Sequence, residues 1–271
     1  MVATGGVSVI IRARDEAEAL GRCLQALGGQ EGVGDVETIY VDTGSVDSSH
    51  QVVAETGVQS IWIPREAGFS FGGGLNTGAA HAHGDVIVAL SAHAILPDTR
   101  WLARAVAALA DPRVACASGD VYGPEGEHLA AARDQDAGLA RRRPEWGYAN
   151  GAGAFRASLW RQRPFRADLP GCEDKEWALH WLERGYACRV DPGLAVGHDH
   201  SHDSLPAIFG RARREEQAYG AFLEGRDAYG LSDLAKDWWS DLRWYDSALR
   251  ARLSPRRTAR LLGAYRGRHV T

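Results

Sequence analysis

The order of elements over residues 7–63 constrains this chain more than any other feature. Residues 7–11 form a short β-branched run between Gly5-Gly6 and a charged stretch, the pattern of a buried strand. A helix follows over about 15–27, with Ala17, Leu20, Leu24 and Leu27 as its apolar stripe and Gly28-Gly29 as its stop. Residues 36–41 read as a second strand ending on Asp42. The turn Thr43-Gly44-Ser45 comes next, and Asp47 or Ser48 can cap a helix that runs to about Thr56. Residues 60–63 supply a third strand. Strands alternating with helices at this spacing predict an α/β fold, with a mainly parallel sheet covered by helices.

The middle of the chain extends the pattern. Phe69-Ser70-Phe71-Gly72-Gly73-Gly74 reads as a flexible turn leading to Asn76 and a small-residue helix over 77–83. Residues 86–90 are the most apolar strand and end on Ser91-Ala92-His93. A helix over 100–109 and a strand over 114–118 close this half. Periodicity is lost from Gly119 to Asn150, where Gly, Pro and charges dominate, including Arg141-Arg142-Arg143. A long irregular segment in a compact protein suits a functional loop or a disordered one. A short helix near 154–160, a helix opening on Glu173-Asp174 and a strand over 187–190 follow. Beyond 205 the chain reads as helical, first through Leu205, Ile208, Phe209, Ala212 and Tyr219. A second segment runs through Leu231, Leu234, Trp238, Tyr245 and Leu249. The expected organisation is one domain in two halves, 1–118 and 119–204, followed by a helical extension over 205–271.

Composition removes several classes of function. A net charge of −4 gives no reason to expect nucleic acid. No apolar run approaches the ~20 residues that span a bilayer. Membrane-surface binding by the tryptophan-bearing C-terminal helices is disfavoured, because Asp233, Asp237, Asp241 and Asp246 would oppose anionic lipid. The same aromatic helices suit a homodimer interface. Cys23, Cys116, Cys172 and Cys188 lack paired spacing and read as reduced thiols. With no signal peptide ahead of the first strand, the expectation is a cytoplasmic protein.

Polar residues collect where strands end. Arg12, Arg14, Asp15 and Glu16 follow the first strand, Asp42 the second, and Ser91 and His93 the fourth. In a parallel sheet these ends share the edge where open α/β sheets bind ligands. A carboxylate there can accept from a base N–H or a ribose hydroxyl. The glycine stretch is neither a Walker loop nor a dinucleotide fingerprint, because the required Lys and Gly spacings are absent. Asp174, Trp177, Ala178 and Trp181 fall at i, i+3, i+4, i+7 and share a helix face. An acid in the first turn is favoured by the helix dipole. Held ionised beside aromatic neighbours, it can serve as a general base.

Several of these stretches together resemble the family 2 glycosyltransferases. Val7 through Glu16 with Leu20 and Cys23-Leu24 is similar to their opening. Tyr40-Val41-Asp42-Thr43-Gly44-Ser45-Val46-Asp47 is similar to their Val-Asp-Asp-Gly-Ser-x-Asp motif. Asn76-x-Gly78, Ala82-x-Gly84-Asp85, Pro97 with Trp101-Leu102, Glu173-Asp174-x-x-Trp177, Gly185-Tyr186 and His198-x-His200 fall in the family's order. The resemblance covers about 7–205, and the Phe-Ser-Phe-Gly stretch is similar to the rhamnosyltransferase-like branch.

The resemblance implies a GT-A fold, a nucleotide-sugar donor of UDP or dTDP type, a hydroxyl acceptor and inversion at the anomeric carbon, with 1–118 as the nucleotide-sugar-binding half and 119–204 as the acceptor-binding and catalytic half. It implies Asp174 as general base, with Glu173 as the second candidate. Arg12, Ala13, Arg14, Glu16, Asp42, Gly44, Asn76, Ser91, Ala92 and His93 would hold the donor, and Asn150 and Trp177 would meet the acceptor. A divalent cation, Mn2+ or Mg2+, would sit near His93, His198 and His200. One departure stands out: Ser91-Ala92-His93 occupies the place of the usual Asp-x-Asp, and hard cations prefer carboxylate oxygen. His93 with a later histidine could replace it, Arg12, Arg14 or Arg65 could neutralise the diphosphate, or catalysis could be lost. That last case gives the alternative of a silent nucleotide-sugar binder. A zinc hydrolase on His198, His200 and His202 is a further alternative.

Overall fold

The computed structural model describes residues 6–198, 203–226, 228–240 and 247–269. Two compact units are present, one of residues 1–168 with 173–198, the other of residues 169–172 with 199–271. No described helix is long and apolar enough to cross a membrane.

The first unit is built on an eight-stranded sheet. Its strands are β1 (Val7–Ala13), β2 (Val36–Asp42), β3 (Gln59–Trp62), β4 (Val86–Ser91), β6 (Val114–Ser118), β7 (Arg133–Gln135), β8 (Ala152–Arg156) and β9 (Ala187–Val190). Their spatial order is β3-β2-β1-β4-β8-β6-β9-β7. β1 pairs in parallel with β2 and β4, and β2 with β3. β8 runs antiparallel between β4 and β6, so the two halves of the unit share one sheet. A separate ribbon joins β5 (Ala94–Ile95) to β10 (Gly197–His198). The β-branched runs behave as their composition predicts: Val9, Ile10, Ile11, Ile39, Val41, Ile87 and Val88 are fully buried, as strands covered on both faces require. Register brings Arg12 beside both Val41 and Ser91, and Ala13 beside Asp42. The ends of β1, β2 and β4 therefore share one edge.

The helices of this unit are α1 (Ala17–Gly28), α2 (Ser49–Ala54), α3 (Phe71–Ala80), α4 (Trp101–Ala108), α5 (Ala137–Arg142), α6 (Ala157–Gln162) and α7 (Glu173–Leu182). Three stretches differ from the sequence reading. The glycine run is helical: α3 begins at Phe71, capped by Ser70 Oγ, which accepts from the Gly73 amide at 3.1 Å. Its glycines serve close packing within the protein. A Cβ on Gly72 would lie 2.5 Å from the Arg166 carbonyl oxygen, and one on Gly78 would lie 2.5 Å from Ile10 Cγ2. The helix expected near 154–160 begins only at Ala157, as α6, and residues 152–156 are strand β8. Ala-Gly-Ala lacks the β-branched signature, and small residues suit a strand packed between two neighbours. The segment 119–150, expected to be irregular, contains β7 and α5. Its arginine triplet is part of an ion-paired surface, with Arg141 on Glu183 and Arg143 on Glu125.

The second unit holds α8 (Leu205–Phe222), α9 (Leu231–Ser240), α10 (Ala248–Leu253) and α11 (Pro255–Arg268). Ser204 and Ser254 cap α8 and α11, each followed by Pro in the first turn. The expected segment through Leu231 and Leu249 is two helices, and Trp244 and Tyr245 between them lie outside the described residues. His200 and His202 lie outside them too, so the histidine cluster of the hydrolase alternative is described only at His198.

Candidate functional site

The strand ends and the first turn of α7 meet at Asn150, the residue that leads into β8. Its backbone amide donates to Asp174 Oδ2 at 3.0 Å and its Nδ2 donates to Glu173 Oε1 at 3.2 Å. One asparagine thus positions both acids of the helix start. Asp174 Oδ1 also accepts from the Lys175 amide at 2.8 Å. Glu173 is buried, Asp174 half-buried. Burial, and then the neighbouring Asp174 charge, raise the Glu173 carboxyl to about 7, against the pull of Asn150 and Arg12.

That shift predicts a stability effect. Glu173 binds its proton more tightly in the folded chain than in the unfolded one, where it titrates near 4.5. Its contribution is complete below the unfolded value and is lost as pH rises through about 7. The loss is on the order of 3 kcal/mol. Glu173→Gln removes this titration, so the variant gains on wild type between pH 5 and pH 8 in urea unfolding. Identical pH slopes for the two proteins would show that the carboxyl is not perturbed in this way.

Arg12 lies on the same edge. Its guanidinium carbon is 4.6 Å from the Phe71 ring centre and 5.5 Å from that of Phe69, and Arg14 approaches Phe69 to 5.4 Å. Burial lowers the Arg12 pKa, while the charges of Glu173, Glu16 and Asp174 oppose that shift. Arg12 Nε is buried without a hydrogen-bond partner among the described residues. Arg65 is engaged elsewhere, by Asp15 at 2.6 Å and by the Gly44 carbonyl. Phe69 and Phe71 were legible only as family flavour; a Phe-x-Phe pair entering a helix beside a strand-end arginine was the available signal.

Glu16 reaches His93, with Oε2 2.6 Å from Nδ1. The β5–β10 ribbon sets His198 opposite Ala94, and its ring centre lies 5.5 Å from that of His93. The structure therefore brings Arg12, Glu16, His93, Asn150, Glu173, Asp174 and His198 together. Ser91 is tied to the loop before β8 by its amide, which donates to the Gly151 carbonyl at 2.8 Å. Among the described residues no three His, Cys, Asp or Glu side chains form a metal-binding group.

Other expected site residues are held by contacts within the protein. Asp42 is fully buried: Oδ1 accepts from the amides of Gly44 at 2.8 Å and Ser45 at 2.7 Å, and Oδ2 from the Tyr40 hydroxyl at 3.2 Å. Its carboxylate shapes the turn, with His50 Nε2 3.3 Å away. Asn76 is spent on the 160–165 segment, donating to the Phe165 carbonyl and accepting from the Phe165 amide and Trp160 Nε1. Ala13 and Ala92 are buried; the Ala13 carbonyl accepts from Thr43. Trp177, expected to meet the acceptor, has no exposed surface. It packs against Phe155, Phe165, Tyr148 and Trp181, and Nε1 donates to the Arg163 carbonyl at 2.7 Å. Four apolar neighbours enclose an indole better than a polar site mouth would.

Comparison with known proteins gives this geometry its class. The profile of Glycosyl transferase family 2 matches residues 8–169. The chain belongs to that family: it is a glycosyltransferase with a GT-A fold, a mixed sheet flanked by helices. No curated protein sequence matches it. Among solved structures it is similar to the mannosyltransferase PcManGT from Pyrobaculum calidifontis, in complex with GDP-Man and Mn2+. The TM-score is 0.70 at 21% identity, over 97% of this chain and 85% of that one. It is also similar to glucosyl-3-phosphoglycerate synthase from Mycobacterium tuberculosis, in complex with Mn2+, UDP and glucosyl-3-phosphoglycerate. There the TM-score is 0.61 at 18% identity, over 84% of this chain and 83% of that one. At these identities the likeness is one of fold.

Proposed function

We propose that this glycosyltransferase moves a sugar from a pyrimidine nucleoside diphosphate, UDP or dTDP, to an acceptor hydroxyl with inversion. The observation that carries the reading is the placement of Asp174 and Glu173 by Asn150, at the sheet edge that also holds Arg12, Glu16 and His93. Asp174 takes the proton as the acceptor O–H bond breaks. The oxygen then forms its bond to the anomeric carbon. On the opposite face the bond from that carbon to the phosphate oxygen breaks, and the nucleoside diphosphate leaves with its electron pair. Asn150 holds the base in place and contacts the acceptor from the same position. The Phe69-Ser70-Phe71-Gly72 stretch favours a rhamnosyltransferase-like choice of donor. Exposed Leu249 and Leu253 support a homodimer.

A divalent cation would be held by His93 and His198, and would supply Lewis-acid assistance to the departing phosphate. The pair fits a cation in one respect: Glu16 fixes the His93 ring through Nδ1, as carboxylates orient ligating histidines. Imidazole donors favour Mn2+ over Mg2+.

The test is a calorimetric titration of UDP, dTDP and GDP, each with Mn2+, with Mg2+ and with EDTA. One pyrimidine diphosphate should bind more tightly than GDP by at least about tenfold, ~1.4 kcal/mol. Preference for GDP would overturn the pyrimidine assignment, and failure of all three to bind would overturn the donor class.

A further inference from the structure

We propose that Arg12 and Arg14 form an anion clamp for the diphosphate, carrying much of the charge that Asp-x-Asp-bound metal carries elsewhere in the family. This rests on the nucleotide-sugar reading above. The position is right: register sets Arg12 beside Ser91, the first residue of the stretch that replaces Asp-x-Asp. The two side chains converge, since both guanidinium groups lie within 5.5 Å of the centre of the Phe69 ring. Neither makes a hydrogen bond or ion pair to a carboxylate among the described residues. Arg65, on the same edge, has both.

Holding two like charges on one ring without hydrogen-bonded counter-charge is unfavourable in a partly desolvated place. Glu173, Glu16 and Asp174 are close enough for their charge to reach Arg12, yet none hydrogen-bonds to it. Arg12 Nε is therefore an unpaired donor waiting on an acceptor oxygen. Guanidinium forks match phosphate oxygens in geometry as well as charge. A diphosphate supplies several such oxygens and the negative charge to balance both groups. The Phe69 and Phe71 rings lie 4.6 to 5.5 Å from the guanidinium carbons, within the range at which cation–π attraction holds both groups at this place.

The experiment titrates inorganic pyrophosphate, UDP and uridine into wild type, Arg12→Gln, Arg12→Lys and Arg14→Gln, each in EDTA and in Mn2+. The expected result is that wild type in EDTA binds pyrophosphate, and binds UDP at least tenfold more tightly than uridine. Arg14→Gln and Arg12→Gln should each lose about tenfold for both phosphates while uridine affinity stays unchanged, with Arg12→Lys recovering part of the loss. Arg14 is exposed, so its variant reads the clamp even where Arg12→Gln does not fold. Two results would overturn the clamp: no pyrophosphate or UDP preference in EDTA, or the full preference surviving in Arg14→Gln and Arg12→Lys. Pyrophosphate binding without any nucleotide binding would keep the clamp and remove the donor assignment instead.

Discussion

Asp174→Asn is expected to lower turnover by about 10²–10⁴-fold and to leave nucleoside diphosphate affinity within about twofold of wild type. The substitution removes the proton acceptor and little else. The retained carbonyl oxygen can still accept from the Asn150 amide, the contact that fixes the side chain at the sheet edge. The strand-end residues proposed to hold the donor are untouched. A general base contributes to the transition state through the proton it takes, so its loss appears in kcat and not in nucleotide binding. Transfer assays alongside calorimetry separate the two.

The competing assignment is Glu173, which shares Asn150 with Asp174. The two candidates give different pH profiles. With Glu173 as the base, kcat/KM would fall as pH drops through about 7, and Glu173→Gln would lose the rate that Asp174→Asn keeps. With Asp174 as the base, Glu173 acts as a neighbour whose proton limits repulsion beside Asp174, and Glu173→Gln retains most of the turnover. Near-wild-type transfer by Asp174→Asn would end the present assignment.

The parallel core of the fold was legible because residues 7–11, 36–41 and 86–90 are β-branched runs bounded by turn residues, and such runs have few other places to go. β8 escaped because Ala152-Gly153-Ala154 carries no strand signature; its strand identity is set by β4 and β6 on either side. A local reading cannot see a partner far away in the chain. The same limit explains the glycines of α3, which look like a flexible turn until Arg166 and Ile10 are packed against them.

At the candidate site, the meeting of Arg12, Glu16, His93 and the Glu173-Asp174 pair on one edge was legible because strand ends and helix starts must converge in this topology. For Asp42, Asn76 and Trp177 the sequence shows the positions but not the contacts they make. A carboxylate at a strand end can face a ligand or cap its own turn, and the sequence is the same in both cases. Asp42 caps its turn through Gly44 and Ser45. For Asn76, the deciding facts are hydrogen bonds to residues more than eighty positions downstream.

Trp177→Ala is expected to be the most destabilising change near the site, by about 3–5 kcal/mol. The indole is completely enclosed, with the Phe165 ring centre at 5.5 Å, Phe155 at 5.6 Å, Trp181 at 6.1 Å and Tyr148 at 6.2 Å. Truncation leaves a cavity that these rings cannot collapse into without abandoning one another, and it strips the Arg163 carbonyl of its 2.7 Å donor. The loss is a large share of the roughly 5–15 kcal/mol that stabilises an ordinary domain. Trp177→Phe keeps most of the ring contact and forfeits the donor, so a loss of about 1–2 kcal/mol is expected. Trp239, more than half exposed, supplies the contrast: its replacement by Ala should cost less than about 1 kcal/mol. Urea unfolding of the three variants measures all of this. If Trp177 instead lined the acceptor site, Trp177→Ala would unfold near the wild-type midpoint and lose acceptor affinity. The structure predicts the reverse order, because α7 presents Asp174 to the site through the same helix that Trp177 anchors in the core one turn further on.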